Sequence, residues 1–302
     1  MKKIAIIILT ISFLNKSYSQ EVKLPTASKW KRKFQTGVNI NQASFSDNWK
    51  GGGVNSLSWS GLLNFKADFK DGDFEWTNDF QSIYGTQRNS TQGNRKNADR
   101  IFFETKLSYK ISKSWRLFAS STFMSQFDAG FDYKKDVAGA DSVIRMSSLM
   151  SPGYLTEAFG FEYKPVEYFS AQFGLGALRQ TFVTDQSLYT SGINTIYGVD
   201  KGQNLRNQIV FQFVANFDKE VMKNITIKAR YLGVADYAKL NGQGFVHRLD
   251  FNIIAKVNKY INTSLGTVVL YDYDQDKNVQ FSQVLNIGIL YSLQNFKEEI
   301  LK

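Results

Sequence analysis

A strict two-residue alternation of apolar and polar side chains, an apolar run at the very start of the chain and a regular exchange of short turns with long loops together predict one fold class. It is all-β: a transmembrane antiparallel up-and-down β-barrel of about 12 strands, with short periplasmic turns and long extracellular loops. The alternation is clearest from Leu57 to Phe69. Leu57, Trp59, Leu63, Phe65 and Phe69 fall on one face of a strand, and Ser58, Ser60, Asn64, Lys66 and Asp68 on the other. A strand in a soluble sandwich runs about five or six residues, whereas a tilted strand crossing a bilayer needs about nine to eleven with an apolar outside and a polar inside. The five apolar residues are therefore assigned to lipid.

The chain opens Met1-Lys2-Lys3, continues almost without polar side chains from Ile4 to Leu14, and reaches Ser17-Tyr18-Ser19 before Gln20. A basic start, an apolar centre and small residues flanking a cleavage point make residues 1–19 a signal peptide. The run is shorter than the ~20 residues a single helical anchor requires. Mean hydropathy is −0.30, a value that barrel strands produce because half of each strand is polar. Cysteine is absent, which excludes disulfides, thiolate metal sites and a lipid-anchored cysteine. Aromatic residues make up 15% and proline occurs three times, as long paired strands favour. The net charge of +10 comes from scattered lysines and arginines, so no nucleic acid is expected as a partner.

Taken in order, residues 20–33 form a basic periplasmic segment, residues 34–293 the outer-membrane barrel and residues 294–302 a periplasmic tail. A first strand covers Phe34 to Phe45, and residues 47–53 connect it to the strand at Leu57. Asp71-Gly72-Asp73 is a tight turn, because glycine supplies the positive φ that such hairpins need. The third strand is Phe74 to Tyr84, followed by a polar loop from Gly85 to Ala98. Further strands centre on Ile101–Ile111, Trp115–Phe127, Phe159–Tyr163, Phe169–Leu175, Ile209–Phe217, Ile225–Tyr237, Val246–Val257, Ile261–Tyr273 and Val279–Tyr291. Long connections occupy residues 128–153 and 181–205, and shorter loops residues 238–245 and 274–278. Short turns follow every second strand, which places both termini in the periplasm. Trp115, Tyr109, Tyr163 and Tyr291 mark one interfacial aromatic girdle, and Tyr84, Tyr237, Tyr271 and Tyr273 the other.

Two stretches carry a resemblance: Asn48-Trp49-Lys50-Gly51-Gly52-Gly53-Val54-Asn55-Ser56, and Ser148-Leu149-Met150-Ser151-Pro152-Gly153-Tyr154-Leu155. With the Lys164-Pro165 turn they resemble a Bacteroidetes-type outer-membrane family catalogued as a domain of unknown function. The resemblance implies the barrel and a place in a bacterial outer membrane, and it brings no activity, ligand or catalytic residue. The glycines after Trp49 also serve a plain purpose, a sharp entry from loop to strand.

Candidate chemistry is sparse. His247, the sole histidine, falls outward near the loop end of its strand, where a lipid-modifying barrel enzyme would hold a base. Leu249 stands two residues on, and no serine nucleophile is signalled there. Asp272, Asp274 and Asp276 alternate like calcium-loop carboxylates, but Lys277 replaces the turn glycine and Gln283 the final glutamate, leaving a weak surface candidate for a metal. Gly174-x-Gly176 is a strand kink and Gly242-x-Gly244 a turn. No motif calls for a cofactor. The inward face is richer: Lys66, Arg100, Lys106, Arg116, Lys228, Arg230 and Arg248 are interleaved with Glu75, Asp79, Glu104 and Asp250. Mixed charge in a narrow lumen pairs and fills it. The expected function is a non-enzymatic barrel with a largely filled lumen, touching outer-membrane lipid and lipopolysaccharide and serving as a structural piece or partner of another outer-membrane assembly. A passive pore favouring anionic solutes is the alternative, and a lipid-modifying enzyme the third reading.

Overall fold

A computed structural model of the chain describes residues 28–43, 56–89, 93–135, 141–190 and 192–296. The expected signal peptide, the glycine-rich stretch after Trp49 and most of the expected C-terminal tail lie outside the described residues. The strands are β1 (Trp30–Ala43), β2 (Ser56–Asp71), β3 (Phe74–Asn89), β4 (Gly93–Lys110), β5 (Trp115–Ser125), β6 (Gly130–Lys135), β7 (Asp141–Ser147), β8 (Gly153–Val166) and β9 (Phe169–Phe182). They continue with β10 (Thr195–Ile196), β11 (Val199–Asp200), β12 (Leu205–Met222), β13 (Ile225–Asp236), β14 (Phe245–Lys256), β15 (Ile261–Asp272) and β16 (Asp276–Gln294).

Twelve of these close into one antiparallel barrel in the order β1-β16-β15-β14-β13-β12-β9-β8-β5-β4-β3-β2. Every neighbouring pair is consecutive among the barrel strands, and β1 closes on β16 through pairs from Lys33↔Gln294 to Ile40↔Ile287. Closure leaves no free sheet edge, which a bilayer would not tolerate. Strand pairs β6–β7 and β10–β11 are small separate hairpins at the loop end.

The burial pattern is the reverse of a soluble protein. Large apolar side chains stand exposed on the outside, among them Ile40, Leu57, Trp59, Leu63, Phe65, Phe159 (61%) and Phe281 (66%), while Asn39, Ser60, Arg116, Glu162 and Gln212 are buried inside. An apolar belt of this extent needs a hydrocarbon surround. Phe69, the fifth residue assigned to lipid, packs its ring 5.2 Å from Trp30 and 6.4 Å from Phe74 at the short-turn end.

Several boundaries differ from the sequence expectation. Strand β1 starts at Trp30, so residues 30–33 belong to the barrel, because they pair with Lys66–Phe69 across the first hairpin. The stretch 85–98, read as a polar loop, is mostly strand: β3 runs to Asn89 and β4 starts at Gly93, paired from Gly85↔Ala98 to Asn89↔Gly93. Strands that continue past the bilayer into water carry polar side chains on both faces, so alternation fades while the ladder continues. The last loop shrinks to residues 273–275 for the same reason. Elsewhere the exchange holds, from the Gly72 turn (φ 59°) to the extended connections after β5 and β9.

The kink at Gly174-x-Gly176 is a bulge. Val210 pairs with Ala177 but Gln212 with Gly174, so two residues of β9 oppose one of β12. Gly160 on β8 sits against the same irregularity, and a Cβ there would collide with the Phe173 carbonyl.

Candidate functional site

The lumen holds the charged residues that two-residue periodicity assigns to the inside. Near its middle, Arg100 on β4 reaches Asp250 on β14 at 3.4 Å. These strands are six steps apart in either direction round the barrel, so the contact lies across a diameter. Arg230 on β13 meets Glu104 on β4 at 2.5 Å, a second bridge across the lumen. Arg248 braces Asp250 from its own strand through Nε (2.7 Å) and Nη2 (2.8 Å). The Phe102 ring lies under both bridging arginines, 5.5 Å from the Arg100 guanidinium and 5.3 Å from that of Arg230. Planar guanidinium groups suit this, since they pair edge-on with carboxylates while stacking on an aromatic face. Arg100 also donates to Gln81 (2.6 Å), whose amide donates to Asp79 (2.9 Å).

Towards the short-turn end, Lys106 pairs with the fully buried Glu162, and Glu75 is surrounded by Lys70 (3.3 Å), Arg116 (3.6 Å) and Lys164 (3.8 Å). Lys66 lies 3.7 Å from Asp68, and Lys228 2.9 Å from Asp218. The Lys66 side chain is 54% exposed, so this end of the lumen is wet. Towards the loop end, Arg179 binds Asp272 at 3.1 Å and stacks 4.9 Å from the Tyr154 ring, and Arg206 binds Asp274 at 2.5 Å. Asp272 and Asp274 thus hold arginines, and Asp276 accepts from the Asn278 amide at 2.8 Å. The three do not converge as a metal site. Among the described residues no cluster of three histidine or acidic side chains could hold a metal ion.

Sequence reading missed part of this interior. Phe118, Ala158, Ala177, Val210, Val234 and Val246 form a buried apolar cluster inside the barrel, with Leu232 and Leu270 against it. The lumen is therefore filled by both an ionic lattice and an apolar knot. Glu162, Arg179 and Arg206 were also missed. Arg179 stands at an odd position, and the bulge at Gly174–Gly176 reverses which parity points inward.

His247 faces outward. Its Nδ1 lies 2.7 Å from the Tyr231 hydroxyl, and its ring stacks with Phe245 at 6.3 Å and Tyr271 at 6.5 Å. Among the described residues its partners are these aromatic side chains, an arrangement suited to an interfacial girdle. The Ser148–Leu155 motif has a structural role at the loop end. The buried Ser151 hydroxyl accepts from the Thr184 and Asp185 amides at 2.9 Å each, while Ser148 (2.9 Å) and Arg145 (2.8 Å) hold the Asp185 carboxylate. The Ser187 hydroxyl bound to Asp185 holds that carboxyl below the usual carboxylate range. The motif pins the β7–β8 connection to the loop after β9.

Residues 40–131 match the family described as "Protein of unknown function (DUF3078)". No curated protein matches the sequence. Among solved structures, the chain is similar to the NanC porin at 8% identity over 84% of this chain and 98% of that one, with a TM-score of 0.39. It is also similar to the translocator domain of the autotransporter NalP from Neisseria meningitidis, at 10% identity over 89% and 90% of the two chains, with a TM-score of 0.37. The KdgM porin aligns at 10% identity over 86% and 99%, with a TM-score of 0.30. The barrel assignment rests on this chain's own closed ladder and greasy exterior.

Proposed function

We propose that this protein is a non-enzymatic barrel of a bacterial outer membrane, of the Bacteroidetes type its motifs resemble, with a lumen closed to solute flow. Both termini are periplasmic in this reading, and the barrel acts as a structural piece or docking partner within the envelope. The observation that carries it is the pair of bridges across the lumen, Arg100–Asp250 and Arg230–Glu104, clamped on the Phe102 ring. Confined ions are held in place by their partners, because leaving one unpaired costs ~3–5 kcal/mol. The test is conductance of the purified protein in planar bilayers, where low, unselective current is expected. Large, steady, anion-selective channels would overturn the reading.

The passive pore is the second reading, and the wet end of the lumen at Lys66 and Lys228 favours it. If it holds, Arg230→Ala and Glu104→Gln alter ion selectivity of a channel already open in the unaltered protein. In the closed barrel the same substitutions instead create current where there was none.

A further inference from the structure

Three consecutive short turns, β2–β3, β4–β5 and β8–β9, meet at one side of the barrel and enclose a cup of about 260 Å³. Its wall carries five cations: Lys70, Lys110, Lys113, Arg116 and Lys164. Against them stand three carboxylates, Asp73, Glu75 and Glu167, which leaves an excess of two positive charges. Glu75 alone is shared by Lys70, Arg116 and Lys164. Lys110 and Lys113 have no carboxylate partner among the described residues. The Arg116 side chain is only 9% exposed, and its buried Nη1 has no hydrogen-bond partner. Its cross-strand neighbour Glu162 bonds Lys106 and Gln172 through Oε1, while its buried Oε2 has no partner among the described residues.

A buried guanidinium with spare donors, flanked by unpaired ammonium groups, is what an oxyanion with several acceptor oxygens would satisfy. A doubly charged anion would neutralise the excess. We propose that the cup binds a phosphate group. Arg116 supplies directed donors at the buried side, and Lys110 and Lys113 close over the anion from the β4–β5 turn. The phosphate is either free inorganic phosphate or the headgroup of a phosphomonoester lipid reaching the rim from the adjacent leaflet. Lys164-Pro165, part of the motif set of the sequence, forms the opposite lip. The site lies at the short-turn end of the lumen, and phosphate binding there is read separately from conductance.

The test uses the full chain folded in a phosphate-free maltoside detergent. Inorganic phosphate is titrated by calorimetry and followed by its phosphorus resonance. In parallel, nanodiscs with and without phosphatidic acid are compared for a bound phosphorus signal. Saturable binding of inorganic phosphate identifies the free anion as a ligand, and a bound signal only with phosphatidic acid identifies the lipid headgroup; either supports the site. Lys110→Gln with Lys113→Gln, at the end of β4 and in an exposed turn, should weaken binding about tenfold or more, as loss of charge-assisted hydrogen bonds does. Arg116→Gln should weaken it further, and Lys228→Gln on the opposite wall should leave it unchanged. Absence of binding by both probes, or equal affinity in the Lys110/Lys113 double variant, overturns the proposal.

Discussion

The outer face over β1 and β2 differs from the outer face over β3 to β8. On the first, Val38, Ile40, Leu57, Trp59, Leu63 and Phe65 stand side by side, and nothing but hydrocarbon suits them. On the second, cross-strand pairing brings Asn78, Thr105, Ser121 and Glu157 into one continuous row, through the pairs Asn78↔Thr105, Thr105↔Ser121 and Ser121↔Glu157. The row is partly self-satisfied. Trp76 Nε1 donates to Thr105 Oγ1 (2.9 Å), Thr105 Oγ1 donates to Asn78 Oδ1 (2.9 Å), and Asn78 Nδ2 donates to the Ala67 carbonyl (3.4 Å). Period two decides which face a side chain occupies. Register decides whether a polar side chain on the lipid face stands alone or finds a neighbour, and only the latter makes such residues tolerable in hydrocarbon.

The largest effect is expected on the apolar face. Phe65→Lys should lower the folding free energy in lipid vesicles by about 2 to 4 kcal/mol, while Asn64→Lys, pointing into the lumen, should be mild. Equal losses in urea titrations of the two variants would erase the distinction between the faces. A smaller effect is expected within the polar row. Thr105→Val removes the acceptor for Trp76 and the donor for Asn78, and should cost about 1 to 2 kcal/mol at ~1 kcal/mol per hydrogen bond. Combining Thr105→Val with Asn78→Leu should recover part of that loss, since the Asn78 carbonyl is then no longer orphaned and only the Trp76 indole lacks its acceptor. Strict additivity of the two would mean that the row is not a coupled unit.

Much of the fold was legible in the sequence because its code is local. Alternation from Leu57 to Phe69 placed each of these side chains on its face, and Gly72 marked its turn without reference to any other strand. Three things were not legible. The bulge at Gly174–Gly176 moves Arg179 to the inside, and its effect depends on pairing with β12. The apolar knot around Phe118 and Val210 sits at inward positions where the barrel rule anticipates polar residues, and it arises because pairing of the neighbouring strands β14, β13, β12, β9, β8 and β5 brings these side chains together. The cup at Arg116 needs three turns distant in sequence to become neighbours. In each case the information lies in register and closure, and no single segment contains it.

The smallest effect concerns the end of the polar row. Glu157 lies six residues from Tyr163 along β8, ~20 Å of chain and ~15 Å along the axis for a strand tilted ~40°, well within an apolar band ~25 Å tall. It is exposed on the outer face and flanks an apolar groove formed with Ala119, Phe159, Leu178 and Ile209. No side chain among the described residues pairs with it. An unpartnered carboxylate there is unfavourable in lipid, although less so than a lysine. Glu157→Leu should therefore raise stability by about 1 kcal/mol or less in vesicles of zwitterionic lipid, read as a shift of the urea midpoint at constant slope. The same change at Glu162, inside the barrel and bound to Lys106, should lower stability instead, because it strands the lysine. A loss of stability on Glu157→Leu would mean that the carboxylate is already satisfied in the membrane, and the contrast between the two outer faces would then vanish at its sharpest point.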